Sequence, residues 1–219
     1  MESPSSIEFI RRATSDDAGF LAWAILAATR SHLEKGWFDI VLNQPEPICL
    51  DYLRALTLTP SHSWWHYSRF FVAEVVGTRA AALAAFRAGD AYPLSQAAMS
   101  EVAQSRGITD ADQTAMWQRG AYIFACSLDA GTDDDWAIEN VATVPEYRGL
   151  GLATALLEHA LDEGRRAGLT RARIPVMIGN HSAERAYFKA GFQVAAESRA
   201  ATFEAASGSP GLRLLTRQL

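Results

Sequence analysis

Gly149 and Gly151 have the spacing of an anion-binding turn. They lie in Val144-Pro145-Glu146-Tyr147-Arg148-Gly149-Leu150-Gly151-Leu152-Ala153, which runs from a strand-like segment into a strongly periodic helix. A glycine-bearing turn aims several backbone N–H groups at one point, and a helix start adds unpaired donors and partial positive charge. Phosphate is the usual guest of such a cradle. A dinucleotide-binding turn needs a third glycine three residues after the second and an acid about twenty positions on. Thr154 and a basic or neutral stretch near Gly168 and Arg171 occupy those places. A P-loop needs Lys-Ser or Lys-Thr after its glycine, and neither follows here.

The elements that must carry this turn are readable from periodicity. Residues 136–144 read as a strand ahead of it. Behind it, Leu150, Ala153, Thr154, Leu157, Ala160 and Leu161 form an apolar stripe at helical spacing, with Gly164 and Gly168 bracketing the helix end. Residues 171–178 alternate at strand period around Pro175. Proline cannot donate to a ladder, so Pro175 marks either an interruption in pairing or an edge strand. Asn180 to Ser182 open a short helix with Ala183, Ala186, Tyr187 and Ala190 on one side and Gly191 as its stop. Two closing strands, 192–199 and 212–219, are joined by a loop containing Gly208-Ser209-Pro210-Gly211.

The first half predicts a strand at 7–11, a helix capped by Ser15-Asp16-Asp17, and a short helix at 48–58 among loops marked by Pro45, Pro47 and Pro60. A hairpin follows at 69–76 and 80–87, turning at Gly77-Thr78, with alanine an unusual strand former in its second arm. From 88 to 135 the pattern is helical, divided at Gly107 and the Thr109-Asp110 cap. The acidic run 129–135 reads as an exposed, solvated loop, its spacing wrong for a calcium-binding loop. Strands alternating with helices predict a mixed α/β sheet with helices on both faces.

Composition sets limits on function. At 219 residues the chain can bury a substantial core. A net charge of −5 with no basic run argues against nucleic-acid binding, and Arg165, Arg166, Arg171 and Arg173 read as a solvated face. Cys49 and Cys126 lie far apart in apolar surroundings, so buried thiols are expected rather than a disulfide or metal site. No apolar run approaches membrane-spanning length, and Met1 to Ser6 lack the features of a signal peptide, so a cytoplasmic protein without membrane contact is expected.

Arg148-Gly149-Leu150-Gly151-Leu152-Ala153 resembles the Arg/Gln-x-x-Gly-x-Gly/Ala signature of the GNAT superfamily of acyl-CoA-dependent N-acyltransferases. A second block, Asn180-His181-Ser182-Ala183-Glu184-Arg185-Ala186-Tyr187-Phe188-Lys189-Ala190-Gly191-Phe192, resembles the ending of such domains at the expected spacing. The likeness is specific over residues 136–192 and weaker over the N-terminal half. It implies one GNAT domain over 1–219, α/β (α+β) in class, with helical insertions at about 36–68 and 88–135. Its mixed sheet of about six to seven strands would splay between the strand before the cofactor turn and the next one.

The resemblance further implies acetyl-CoA as co-substrate and no metal. Arg148, Gly149, Leu150, Gly151, Leu152, Ala153 and Thr154 would hold the pyrophosphate, glycine at 149 and 151 allowing close approach. Val141, Ala142, Thr143 and Asn180 would bind the pantetheine arm, Asn180 also being placed to cap a helix. Tyr187 matches the general acid of many relatives, against the plain reading of a core tyrosine. Glu139 is the candidate general base, against a solvent-facing strand charge. His159 reads as solvated and His181 as a loop histidine near the site. His62-Ser63-Trp64-Trp65-His66-Tyr67 suits an acceptor pocket, a partner interface or the packed underside of a loop. The expected reaction is acetyl transfer to a primary amine, small-molecule or peptide, by direct attack. A non-catalytic acyl-CoA-binding module is the alternative, and a homodimer is compatible with either.

Overall fold

Alternation along the central strands places helices on both sides of one sheet. Phe70 and Val72 pack with Ala82, Ala84 and Phe86 in one core, while Phe71, Ala73 and Val75 pack with Ala81, Leu83 and Ala85 in the other. Alanine serves here because both faces of the strand are buried and small side chains let the helices sit close. The computed structural model describes residues 9–126, 128 and 132–219. In chain order these form β1 (Phe9–Arg12), α1 (Ala18–Arg30), α2 (Trp37–Leu42), α3 (Glu46–Leu56), β2 (Phe70–Val75), β3 (Thr78–Arg87), α4 (Ala88–Ala91), α5 (Ser95–Ser105) and α6 (Asp110–Gly120). Then come β4 (Trp136–Thr143), α7 (Leu152–Arg166), β5 (Arg171–Met177), α8 (His181–Lys189), β6 (Gln193–Arg199), α9 (Ala201–Ser207) and β7 (Gly211–Gln218).

The seven strands form a single sheet in the order β1-β2-β3-β4-β5-β7-β6. Every neighbouring pair is antiparallel except β4 and β5, which run parallel and pair only at Trp136 with Ala172 and Ala137 with Arg173. Beyond those two rungs the sheet divides. One core holds residues of α1, α2, α3 and α5; the other holds α7 and α8.

Several local expectations need correction. The first helix is preceded by Thr14, whose backbone N–H donates to Asp17 at 2.8 Å, so Asp17 closes the turn instead of heading a cap. Pro45 and Pro47 open α3 rather than marking loops, since proline's missing N–H costs nothing in a first turn. The segment joining the last two strands contains α9, which periodicity did not signal. Leu150 stays outside α7, 37% exposed, and the buried stripe runs through Leu152, Leu156, Leu157, Ala160 and Leu161. Gly164 is inside that helix: a Cβ there would meet Trp136 at 2.8 Å, so the glycine permits packing and Gly168 (φ +76°) ends the helix.

Within the acidic run, 129–131 lie outside the described residues, as do Ile7 and Glu8 of the first strand. The rest of that run is not wholly solvated. Asp135 is 2% exposed and accepts hydrogen bonds from Arg171 at 2.6 and 2.9 Å, with Arg173 3.9 Å away. Arg173 is likewise buried, so these two arginines do not form a solvated face. Cys49 and Cys126 are buried free thiols.

Candidate active site

The gap between β4 and β5 opens into a cavity of about 1010 Å³. That volume is at the upper end for a small-molecule site, with room for two reactants. Pro175 lines it. Because β5 lies between β4 and β7, it is an internal strand, and Pro175 sits where pairing with β4 has ceased. On the other wall, β4 carries a bulge: Ala82 faces Ala142 and Ala84 faces Glu139, leaving Asn140 and Val141 opposite one residue of β3. Asn140 adopts φ +54°, a conformation asparagine tolerates better than most residues. Bulges re-aim side chains, and here the residues on either side of the kink, Glu139 to Thr143, all line the cavity.

The chain leaves β4 through a 3-10 turn at Pro145–Tyr147 and enters α7 through Gly149 (φ +83°) and Gly151 (φ +79°). These angles require glycine. No atom lies within 4 Å of where a Cβ would stand at either position, which leaves open space beside the turn. The first α-helical bond runs from Ala155 N–H to Gly151 C=O at 3.0 Å. The N–H groups of Leu152, Ala153 and Thr154 therefore lack intrahelical partners, and they face an end of the cavity suited to an anion. Arg148 lines the same end and donates from Nε to the Thr143 carbonyl at 3.3 Å. Of the residues expected around the cofactor, only Leu150 is absent from the cavity wall.

Asn180 caps a helix, as its position suggested, and also lines the cavity. Its Oδ1 accepts from Ala183 N–H at 3.1 Å, capping α8, and its Nδ2 donates to Ser31 Oγ at 2.7 Å while the residue lines the cavity.

Glu139 is not a solvent-facing charge. It is half-buried and lines the cavity, and Tyr92 donates its hydroxyl proton to Oε1 at 2.5 Å. Burial pushes the Glu139 pKa up to about 7, against the opposing pull of the Tyr92 hydrogen bond and the Arg173 charge. The Arg173 guanidinium stands 5.0 Å over the Tyr92 ring. Tyr187 lines the same cavity from α8 and is 6% exposed. Burial, reinforced by the nearby Glu139 charge, raises its phenol pKa well above the usual value, so the proton stays on at neutral pH. Tyr92 and Arg173 carried no sequence signal for this role. Their meeting with Glu139 joins three separate segments of chain, a 47-residue separation in the case of Tyr92.

The histidines fall differently. His32, from the end of α1, lines the cavity, and burial together with the His181 charge lowers its pKa. His181 is exposed and sits 3.2 Å from Glu184 without reaching the cavity wall. His159 is not simply solvated, since its ring packs edge-on against Phe71 at 4.7 Å. Trp64 and Trp65 line the cavity, while Trp65 is also buried in the core and Trp64 and Tyr67 pack against it. Among the described residues, no group of three or more His, Cys, Asp or Glu could hold a metal ion. Nor is any helix there long and apolar enough to cross a membrane.

A sheet parted between two parallel strands, with a glycine turn leading into a helix at the opening, is the architecture expected of the acyltransferase family that the two sequence blocks resemble. The chain belongs to the acetyltransferase (GNAT) family, whose profile matches residues 36–192. No curated protein sequence matches the chain. Among solved structures it is similar to an acetyltransferase at TM-score 0.70 and 19% identity, covering 96% of this chain and 99% of that one. An N-acetyltransferase from Staphylococcus aureus Mu50 aligns at TM-score 0.65 and 19% identity over 95% and 100% of the two chains. A candidate acetyltransferase from Salmonella typhimurium, solved with its cofactor acetyl-CoA, aligns at 0.53 and 17% over 96% and 93%. At these identities the likeness extends to the fold.

Proposed function

We propose that this chain, acting as one domain with helical insertions at about 36–68 and 88–135, transfers an acetyl group from acetyl-CoA to a primary amine by direct attack. The observation that carries the reading is the convergence of Glu139, Tyr187 and the anion-binding turn on one cavity at the split in the sheet. The residues fit the donor: the N–H groups of residues 152–154 and the Arg148 side chain suit the pyrophosphate. Backbone groups of Val141, Ala142 and Thr143 that face away from β3 have no strand partner, and with Asn180 they suit an amide-bearing arm. When bound, acetyl-CoA supplies a thioester carbonyl as electrophile.

An amine attacks only when neutral. Glu139, with its pKa near 7, takes the proton from the incoming ammonium, assisted by the Tyr92 hydroxyl that orients its carboxylate. As the C–S bond breaks, Tyr187, kept protonated by burial, gives its proton to the departing sulfur and is reprotonated by the second N–H proton that the nitrogen sheds on becoming an amide. Direct attack is favoured over an acyl-enzyme because neither Cys49 nor Cys126 lines the cavity. The test is Tyr187→Phe. CoA affinity should stay within about twofold while turnover drops by about a hundredfold, the usual worth of a positioned acid. Near-normal turnover would remove Tyr187 from the mechanism.

A further inference from the structure

The acceptor half of the cavity has one carboxylate and many rings. Among the described lining residues Glu139 is the only acid, and the cationic side chains are His32 and Arg148. Arg148 belongs to the anion-binding turn, and burial holds His32 toward its neutral form. From Glu139 a run of ring contacts leads along the wall. Tyr92 meets Trp64 at 5.7 Å, Trp64 meets Trp65 at 4.4 Å, Trp65 meets Phe38 at 5.6 Å, and Phe38 meets Trp37 at 4.9 Å. Tyr92, Trp64 and Trp37 keep part of their surface open to the cavity, and the buried rings of Trp65 and Phe38 back them from the core. At the mouth stand Trp117 and Phe124, 39% and 74% exposed, both from the insertion after β3. Exposed aromatics at a pocket rim signal a ligand surface rather than core packing.

Each charge on a ligand that leaves water needs a partner. One ammonium finds Glu139. A second ammonium, as in a polyamine, has no carboxylate to meet on this wall, and a carboxylate on the acceptor has no dedicated cation. Planar or bulky apolar groups gain from the rings through offset and edge contacts.

Resting on the acetyl-transfer reading above, we infer that the acceptor is a primary monoamine whose single ammonium reaches Glu139 and whose aromatic body lies against Trp64 and Trp37. The test is CoA release at saturating acetyl-CoA with 2-phenylethylamine, spermidine, agmatine and phenylalanine, paired with calorimetric binding of the same amines to the CoA-loaded protein. kcat/KM for 2-phenylethylamine should exceed that of the other three by about 30-fold or more, in the range a misfit side group produces. Trp64→Ala should raise KM for 2-phenylethylamine about tenfold and leave KM for acetyl-CoA within twofold, with Trp64→Phe restoring most of the loss. Phe124→Ser, at an exposed position where folding is not at stake, should act in the same direction by about threefold. Preference for spermidine, agmatine or phenylalanine, in turnover or in binding, overturns the inference, as does an unchanged KM in both Trp64→Ala and Phe124→Ser. Absence of CoA release with every amine overturns instead the acetyl-transfer reading beneath it.

Discussion

Glu139 meets the Tyr92 hydroxyl and faces the cavity, and both follow from a kink in its strand. The bulge at Asn140 and Val141 lets Glu139 turn into the gap, where Tyr92 meets it at 2.5 Å and burial holds its pKa near 7. In its proposed role as base Glu139 works only when ionised. The kcat/KM for the amine should therefore fall as pH drops through about 7, and Glu139→Gln should abolish that limb while lowering kcat about a hundredfold. Folding raises this pKa, so the carboxylate costs stability above about pH 7, a cost that fades as pH falls toward the ordinary carboxylate range. Thermal unfolding at about pH 8 should then find Glu139→Gln no less stable than the parent, which separates lost chemistry from lost fold.

At the scale of elements, α7 is held to the sheet at the root of the gap. Trp136 occupies one of the two rungs that join β4 to β5, and its indole N–H donates to the Ala160 carbonyl at 2.8 Å. Gly164 leaves room for that ring: a Cβ would lie 2.8 Å from Trp136 and 2.9 Å from Leu219. Gly164→Val should overpack the joint at a cost of about 2 kcal/mol, lowering Tm by roughly 6 °C for a chain of this size in calorimetry. The elements of this half were legible because β4, α7, β5 and α8 carry clean periods and glycine stops. Those of the insertions were less so. In α9 and α4 the helix is about two turns or less, too short for periodicity to stand out, and docking rather than propensity holds such pieces.

For the whole molecule, Asp17 ties the first sheet edge to α1. It is fully buried and accepts from Arg11 of β1 at 2.7 Å and from Arg79 of β3 at 2.5 Å, while Arg11 also pairs with Glu74 of β2. Despite the opposing effect of burial, these hydrogen bonds hold its carboxyl below the usual carboxylate range. Asp17→Asn leaves two arginines without their shared anion and should cost about 3 kcal/mol at neutral pH, read from urea unfolding. A depressed pKa stabilises the fold above the unfolded value and loses that contribution as pH falls through the folded one. The gap between Asp17→Asn and the parent should accordingly persist at about pH 5 and close only below the ordinary aspartate pKa of about 4.

The sequence by itself determined the class of fold, the glycine turn into its helix and the position of Tyr187 on the next one. Those depend on local spacing: glycines that permit positive φ, an apolar stripe every three to four residues, a cap three residues before its donor. Tertiary structure alone decided that Glu139 faces a cavity, that Tyr92 and Arg173 stand beside it, and that Trp64 and Trp65 line the same cavity. Periodicity shows which residues share a face of an element. It does not show which elements meet, and the strength of a buried charge depends on the company that meeting provides.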